Sequence, residues 1–463
     1  MGLTSQVAEF VAKSRWEDLP EAAVAAARRA ILDCMGVMLA GSADPAARIV
    51  RAVAEAEGGR PLCTIIGAGA RTGATWAALA NGTAAHALDY DDTNFAMMGH
   101  PSAPVLSAAL AAGELATADG RALLHAFLLG FEVETTVAEA LNPAHYEHGW
   151  HATCTLGTLG AAAAAARLLG LDAAETATAL AVAASQASGL KENFGTMTKP
   201  FHAGHAARSG VLATLLARPG EAGARWTASE QALEGPQGFL AVLGAGPLRA
   251  EALATLGAPW KILSTGVAVK PWPSCACTHS IIDHALRLRA EHALDPSAIA
   301  EVVVGVNATV PRILIHHRPR TGLEAKFSGE YAAAAALVHG RVGIDSFEDA
   351  AVGDPAVRRL LERVRVEVDP AIPGDRERHM WTRLAVRLAD GRVVRREPGP
   401  VPGHPAVPLP EDVLRAKFAD CAGRVLPAER VGMLQAMLAG LEDCPDLRSL
   451  TAICGPLPAG GRG

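Results

Sequence analysis

Three carboxylates in four positions stand first among the residues that can do chemistry: Asp89, Asp91 and Asp92, followed by Thr93 and then by Gly99-His100-Pro101-Ser102. Carboxylates this close repel one another unless they are solvated, paired with cations or bound to metal. A solvated acidic loop at a helix end is one reading. A DxDD cluster holding Mg²⁺ against a phosphate is another, but no Gly-rich phosphate loop lies nearby. A second tract, His145-Tyr146-Glu147-His148-Gly149-Trp150-His151, puts three histidines in seven residues, which invites a metal reading. Its bland counterpart is a polar loop capped into the following Ala-rich helix through Thr153 or Thr155. Aromatic residues are only 4% of the chain, so Tyr146 and Trp150 together favour a pocket wall.

A third tract runs from Lys191 to His202 and on through His205 to Arg208. Gly195 and Pro200 bracket an irregular stretch carrying Lys199, and a helix is expected from Gly204 to Leu216. Its positive N-terminal end suits a carboxylate, although an exposed interhelix lysine is the commoner meaning of such a residue. The fourth tract, Lys270-Pro-Trp-Pro-Ser274-Cys275-Ala-Cys277-Thr278-His279, is stiffened by two prolines ahead of a helix that Ser274 or Thr278 can cap. A domain-boundary linker reads the same way. The single residue between Cys275 and Cys277 differs from the two of zinc and redox pairs. Glu324 to Tyr331, the fifth tract, is unremarkable as a helical pattern.

The elements that must hold these tracts are mostly helical. Half of the residues are hydrophobic, with a strong Ala bias that favours packed helices. Helices are expected from Glu21, with Pro20 in the first turn, over Pro101 to Glu114, over Leu156 to Leu171 and afresh from Asp172. Near Gly266 the character changes. Glu301 to Val306, Val364 to Val368, Leu384 to Leu388 and Val393-Val394 are strand-like, and Asp390-Gly391 signals a hairpin. Helical segments at Ile281 to His292 and Ala332 to His339 lie between them. The Pro-rich run from Pro398 to Pro405 reads as a loop, Pro410 to Leu441 as helical again, and the tail from Pro456 to Gly463 as frayed. The expected fold class is mainly α: a large helical domain from both chain ends, residues 1–265 and 401–463, with a smaller α+β domain at 266–400.

Composition excludes several partners. The net charge of −6, with no basic run, gives nucleic acid no electrostatic footprint. No apolar run is long enough to cross a membrane, and the N-terminus lacks the pattern of a signal peptide. The eight scattered cysteines fit a reducing compartment, so a cytoplasmic location is expected. Charged residues are only 19%, which points to a homo-oligomer.

The tracts together resemble the MmgE/PrpD family along nearly the whole chain. They read HALDYDDT with GHPS, GWHATCTLGTLGAAAAAARLLGL, GTMTKPFHAGHAARSGVL, KPWPSCACTH and EAKFSGEY. The resemblance implies a helical domain built from both ends, a smaller α+β domain that closes over the site, a homodimer, and no metal or organic cofactor. It implies activity as a 2-methylcitrate dehydratase, a cis-aconitate decarboxylase or an iminodisuccinate epimerase. By resemblance, Asp89, His100, His151 and Lys199 are catalytic, and Thr93, Lys199 and Lys270 line the pocket. Cys275 stands where the decarboxylase branch has His, and His205 where many relatives have Arg.

These activities share one demand. A proton or CO₂ leaves carbon next to a carboxylate, and cations must stabilise the charge that develops. The leading expectation is a cofactor-independent dehydratase of a small polycarboxylate. Lys199 and Lys270 hold carboxylates, His151 or His100 shuttles the proton, Asp89 assists, and Tyr146 is an alternative acid. Epimerisation of a substituted dicarboxylate, decarboxylation of a cis-aconitate-like acid, metallohydrolysis and a non-catalytic helical scaffold are the rivals.

Overall fold

The computed structural model describes residues 2–374 and 380–455; the expected frayed tail at 456–463 lies outside them. The chain divides into two compact units, Met1–Val267 with Pro410–Gly463, and Ala268–Leu409. The expected mainly α class, with a smaller α+β part, is what the chain forms. The Pro398–Pro405 run belongs to the second unit.

In the first unit the central helices are Ala-rich and buried on nearly every side, so they pack backbone to backbone rather than through a single apolar stripe. The helix Thr198–Ala217 packs along Ala74–Ala87 and Ala152–Leu168. The closest approach is at two glycines. A Cβ on Gly82 would stand 2.7 Å from the Gly204 Cα, and one on Gly204 would stand 2.2 Å from the Leu79 carbonyl oxygen. His86 lies one turn beyond Gly82, and Lys199 about one turn before Gly204, so this crossing decides where those side chains meet.

Helix Ala173–Gln186 starts where the sequence placed it, on a capping box in which Asp172 and Glu175 satisfy each other's backbone N–H groups. The C-terminal helical stretch is broken by Pro427 into Glu411–Gly423 and Ala428–Ala439. A small antiparallel pair, Cys63–Ile65 with Ala70–Thr72, has no alternating pattern long enough to be read from sequence.

The second unit holds a four-stranded sheet in the order Val364–Val368, Ile299–Val306, Arg383–Leu388, Val393–Arg396. Ile299–Val306 pairs parallel with the first, Val304 opposite Val366, and antiparallel with the third, Val304 opposite Leu384. Buried Val302, Val304 and Val306 alternate on one face, as half-buried strands require. Helices His279–Glu291 and Gly329–His339 pack on each other and on the sheet. The expected hairpin is present, with Gly391 at φ 89°.

Candidate functional site

The acidic turn begins where helix Ala74–Ala87 ends. Asp89 adopts φ 52°, a left-handed conformation that Asp tolerates better than most residues. This reversal sends the three carboxylates to three different partners, which answers the repulsion between them. Asp89 faces Lys199, with Oδ2 3.5 Å from Nζ, and His100, with Oδ1 3.9 Å from Nε2. Asp91 pairs with His86 Nδ1 at 2.8 Å and lies 3.4 Å from His100 Nδ1. Asp92 accepts from both the Ser102 hydroxyl and the Ser102 backbone N–H, at the start of helix Ser102–Ala116. Burial nevertheless pushes the Asp92 carboxyl up to about 7.

Lys199 is where sequence and structure part. It sits not in an exposed loop but at the second position of helix Thr198–Ala217, buried. Pro200 is the third helical residue, where its missing N–H costs nothing. An ammonium at a helix N-terminus opposes the helix dipole, so it needs compensation. Its Nζ lies 2.9 Å from His86 Nε2 and beside Asp89, and 5.5 Å above the Phe194 ring. The hydrogen-bond chain fixes the tautomer of His86. Nδ1–H donates to Asp91, which leaves the Nε2 lone pair to accept from Lys199. Burial, opposed by Asp91, holds the His86 imidazole below its ordinary value and therefore neutral.

Three more imidazoles complete the cluster. His100 Nδ1 lies 2.9 Å from the Asp92 carbonyl oxygen, so that nitrogen carries a proton, and Nε2 faces Asp89. His100 is seated by its backbone N–H, which donates to Thr153 Oγ1. His151 stacks 5.7 Å from His86, and its Nδ1 lies 2.9 Å from His202 Nδ1. One of these two nitrogens donates and the other accepts, so the rings carry opposite tautomers. Burial keeps His151 well below its ordinary value, with Lys199 adding to the effect, and lowers His202 to about 4.

Asp89, His100, His151 and Lys199, all expected from sequence, thus converge. Thr93 is buried on the same turn, and its hydroxyl has no hydrogen-bond partner among the described residues. Tyr146 lies under Lys191, whose Nζ is 3.7 Å above the ring. His205 stacks on Phe201 and bonds the Gln186 backbone. Lys270 and Cys275 belong to the second unit, where the Cys275 N–H donates to the Lys326 carbonyl oxygen. Thr278 takes the N-cap position there, but its hydroxyl bonds Cys275 O and Ser274 instead of capping.

Sequence reasoning missed His86, Asp91 and His202 as site residues. The signal existed: Lys199 and His202 are three apart on one helix, and His86 stands one turn from a helical glycine. The three histidines of the second tract do not form a set. His145 bonds Leu243 O and Thr155, His148 is exposed, and only His151 enters the cluster. His86, Asp91 and His100 offer ligand atoms within 4.8 Å of one another. The atoms are already engaged: His86 Nδ1 with Asp91, His100 Nδ1 with a carbonyl oxygen. The arrangement gathers titratable groups around one buried ammonium.

Comparisons with known proteins show the family. A model described as the MmgE/PrpD N-terminal domain matches residues 5–251, and one described as the MmgE/PrpD C-terminal domain matches residues 272–443. The chain is 31% identical over 465 residues to a cis-aconitate decarboxylase of Mus musculus, covering 97% of this chain and 93% of that one. It is 31% identical to the Homo sapiens cis-aconitate decarboxylase, covering 95% and 92%. It is 25% identical to that of Aspergillus terreus, covering 97% and 95%. Two family models spanning most of the sequence, and relatives matched from end to end, place this chain in the MmgE/PrpD family.

Proposed function

We propose that the protein is a lyase acting beside a carboxylate of a small di- or tricarboxylic acid, and that its reaction is removal of CO₂ from an acid of the cis-aconitate type. The relatives named above support the reaction class. The observation that carries it to this chain is the buried Lys199 ammonium, held between Asp89 and the lone pair of His86. Loss of CO₂ breaks a C–C bond and leaves its electron pair in the carbon skeleton, spread towards a remaining carboxylate. That carboxylate gains charge, and one carbon must then take a proton. Lys199 meets the first need as positive charge, and the imidazoles beside it meet the second. Thr93 offers its unpartnered hydroxyl to a carboxylate. His151 with His202 completes the proton supply. Lys270, Cys275 and His205 remain proposed substrate contacts, Tyr146 an alternative acid, and the chemistry calls for no cofactor. In this reading the protein works as a cytoplasmic homodimer.

A second reading is dehydration of a hydroxylated polycarboxylate. The placing of His100 favours it, because a ring held at Nδ1 by the Asp92 carbonyl and facing Asp89 through Nε2 is set to exchange a proton there. Cys275, standing where the decarboxylase branch has His, points the same way.

Incubation in D₂O with cis-aconitate, and separately with citrate-like hydroxy acids and substituted succinates, distinguishes the readings by NMR. The expected result is CO₂ release with one deuterium on carbon. Water loss without CO₂ replaces the first reading with the second. Exchange or inversion of a substituted succinate alone makes the protein an isomerase. No change with any of these acids removes the proposal.

A further inference from the structure

One buried charge in the first unit takes no part in the chemistry above. Lys417, on the C-terminal helix Glu411–Gly423, is buried, and its Nζ lies 2.6 Å from Asp33 Oδ1 on helix Glu21–Gly41. The same ammonium donates to the Tyr90 carbonyl oxygen at 2.9 Å and lies 3.9 Å above the Tyr90 ring. Tyr90 is the residue between Asp89, with its left-handed backbone, and Asp91, bonded to His86. We propose that Lys417 is a positioning residue for the reaction: by gripping the Tyr90 carbonyl it sets where the Asp89 and Asp91 carboxylates point.

A wholly buried ion pair is a poor source of stability, because desolvating both charges offsets their attraction, and apolar replacements of similar volume are often neutral or better. Stability alone therefore gives little reason for this pair. The turn it grips, in contrast, holds a non-glycine residue at positive φ, a conformation that persists where its surroundings over-determine it. The Lys417 ammonium bonds the carbonyl directly after that residue. The C-terminal return thereby acts on the site through backbone, with Asp33 as the counter-charge that keeps the ammonium in place.

The inference rests on the lyase reading only for its kinetic arm. The test uses the full-length enzyme and two variants. Lys417→Met alone leaves the Asp33 carboxylate buried without its cation and is expected to lose stability. The double variant Lys417→Met with Asp33→Leu removes both charges and is expected to melt close to wild type. Two quantities are read: kcat and KM on whichever acid the wild type turns over, and the downfield proton resonance of the His86–Asp91 hydrogen bond, assigned by its loss in His86→Gln. The expected result for the double variant is a displaced resonance and a kcat lowered on the order of 10²-fold with KM little changed, as for a reacting group moved by about 1 Å. A double variant with an unmoved resonance and wild-type kcat overturns the proposal. Absence of wild-type turnover on any carboxylic acid sinks the lyase reading instead, and the resonance still reports the position of the turn.

Discussion

At the scale of single residues, three buried imidazoles of the cluster, His86, His151 and His202, stand neutral beside one ammonium. Its pH behaviour follows. His202 has its folded value lowered to about 4 by burial, and His86 and His151 are lowered as well. The unfolded chain therefore binds more protons than the folded one below the ordinary histidine value of about 6.5. Stability from this source is complete above that pH and is lost as pH falls towards about 4. Asp92 has the opposite sign, since its raised value favours the folded state at low pH and loses that contribution as pH rises towards about 7. Thermal melts of wild type and His202→Asn between pH 4 and pH 7 test the first effect. The variant is expected to lose less stability on acidification; parallel curves would contradict the neutral-imidazole assignment. Because His86 Nδ1 and Asp91 already share a hydrogen bond, chelation is expected to leave turnover intact. Activity lost to EDTA and restored by Mg²⁺ or Zn²⁺ would show instead that His86, Asp91 and His100 hold a metal.

At the scale of elements, close helix contact sets the geometry. Alanine at Gly204 gains intrinsic helix propensity of about 1 kcal/mol, but its Cβ would stand 2.2 Å from backbone, and forced overpacking costs about 1–3 kcal/mol. Gly204→Ala is therefore expected to lower both the melting temperature and kcat, since Lys199 and His86 ride on the two helices pushed apart. Gly432, in helix Ala428–Ala439, has nothing within 4 Å of its Cβ position, so Gly432→Ala is expected to raise the melting temperature and leave kcat alone. Equal effects of the two would discount the role of the crossing. The elements themselves were legible where local chemistry is decisive. Asp172, Pro20 and the Asp390-Gly391 turn each mark a boundary that the chain respects. Helix Thr198–Ala217 begins six residues before the expected start at Gly204, because Gly195 and Pro200 read as brackets of a loop while proline is at home in a first turn. The site was half legible for a related reason. Asp89, His100, His151 and Lys199 stand in conspicuous polar tracts. His86 and His202 stand in the same tracts, but what brings them to Lys199 and His151 is a helix crossing, of which spacing along one helix shows only half.

At the scale of the whole molecule, the chain is large, poor in charge and rich in exposed apolar side chains on its first unit, among them Ile49, Val53, Leu190 and Val242. Association of two copies is expected from the low charged fraction. Light scattering at micromolar concentration is expected to give twice the chain mass, and the mass of a single chain would count against it. The account as a whole stands on Lys199 as the charge that the reaction uses. Lys199→Met keeps the apolar stem and removes the ammonium. If the ammonium stabilises charge that appears only as the bond breaks, kcat falls while KM changes little. The measurement is kcat and KM of Lys199→Met and wild type on the acid that the wild type converts, with melting temperatures recorded alongside. The predicted result is a folded variant with kcat lowered about 10²–10³-fold, equivalent to roughly 2.7–4 kcal/mol; a folded variant with near-normal kcat/KM would contradict the account.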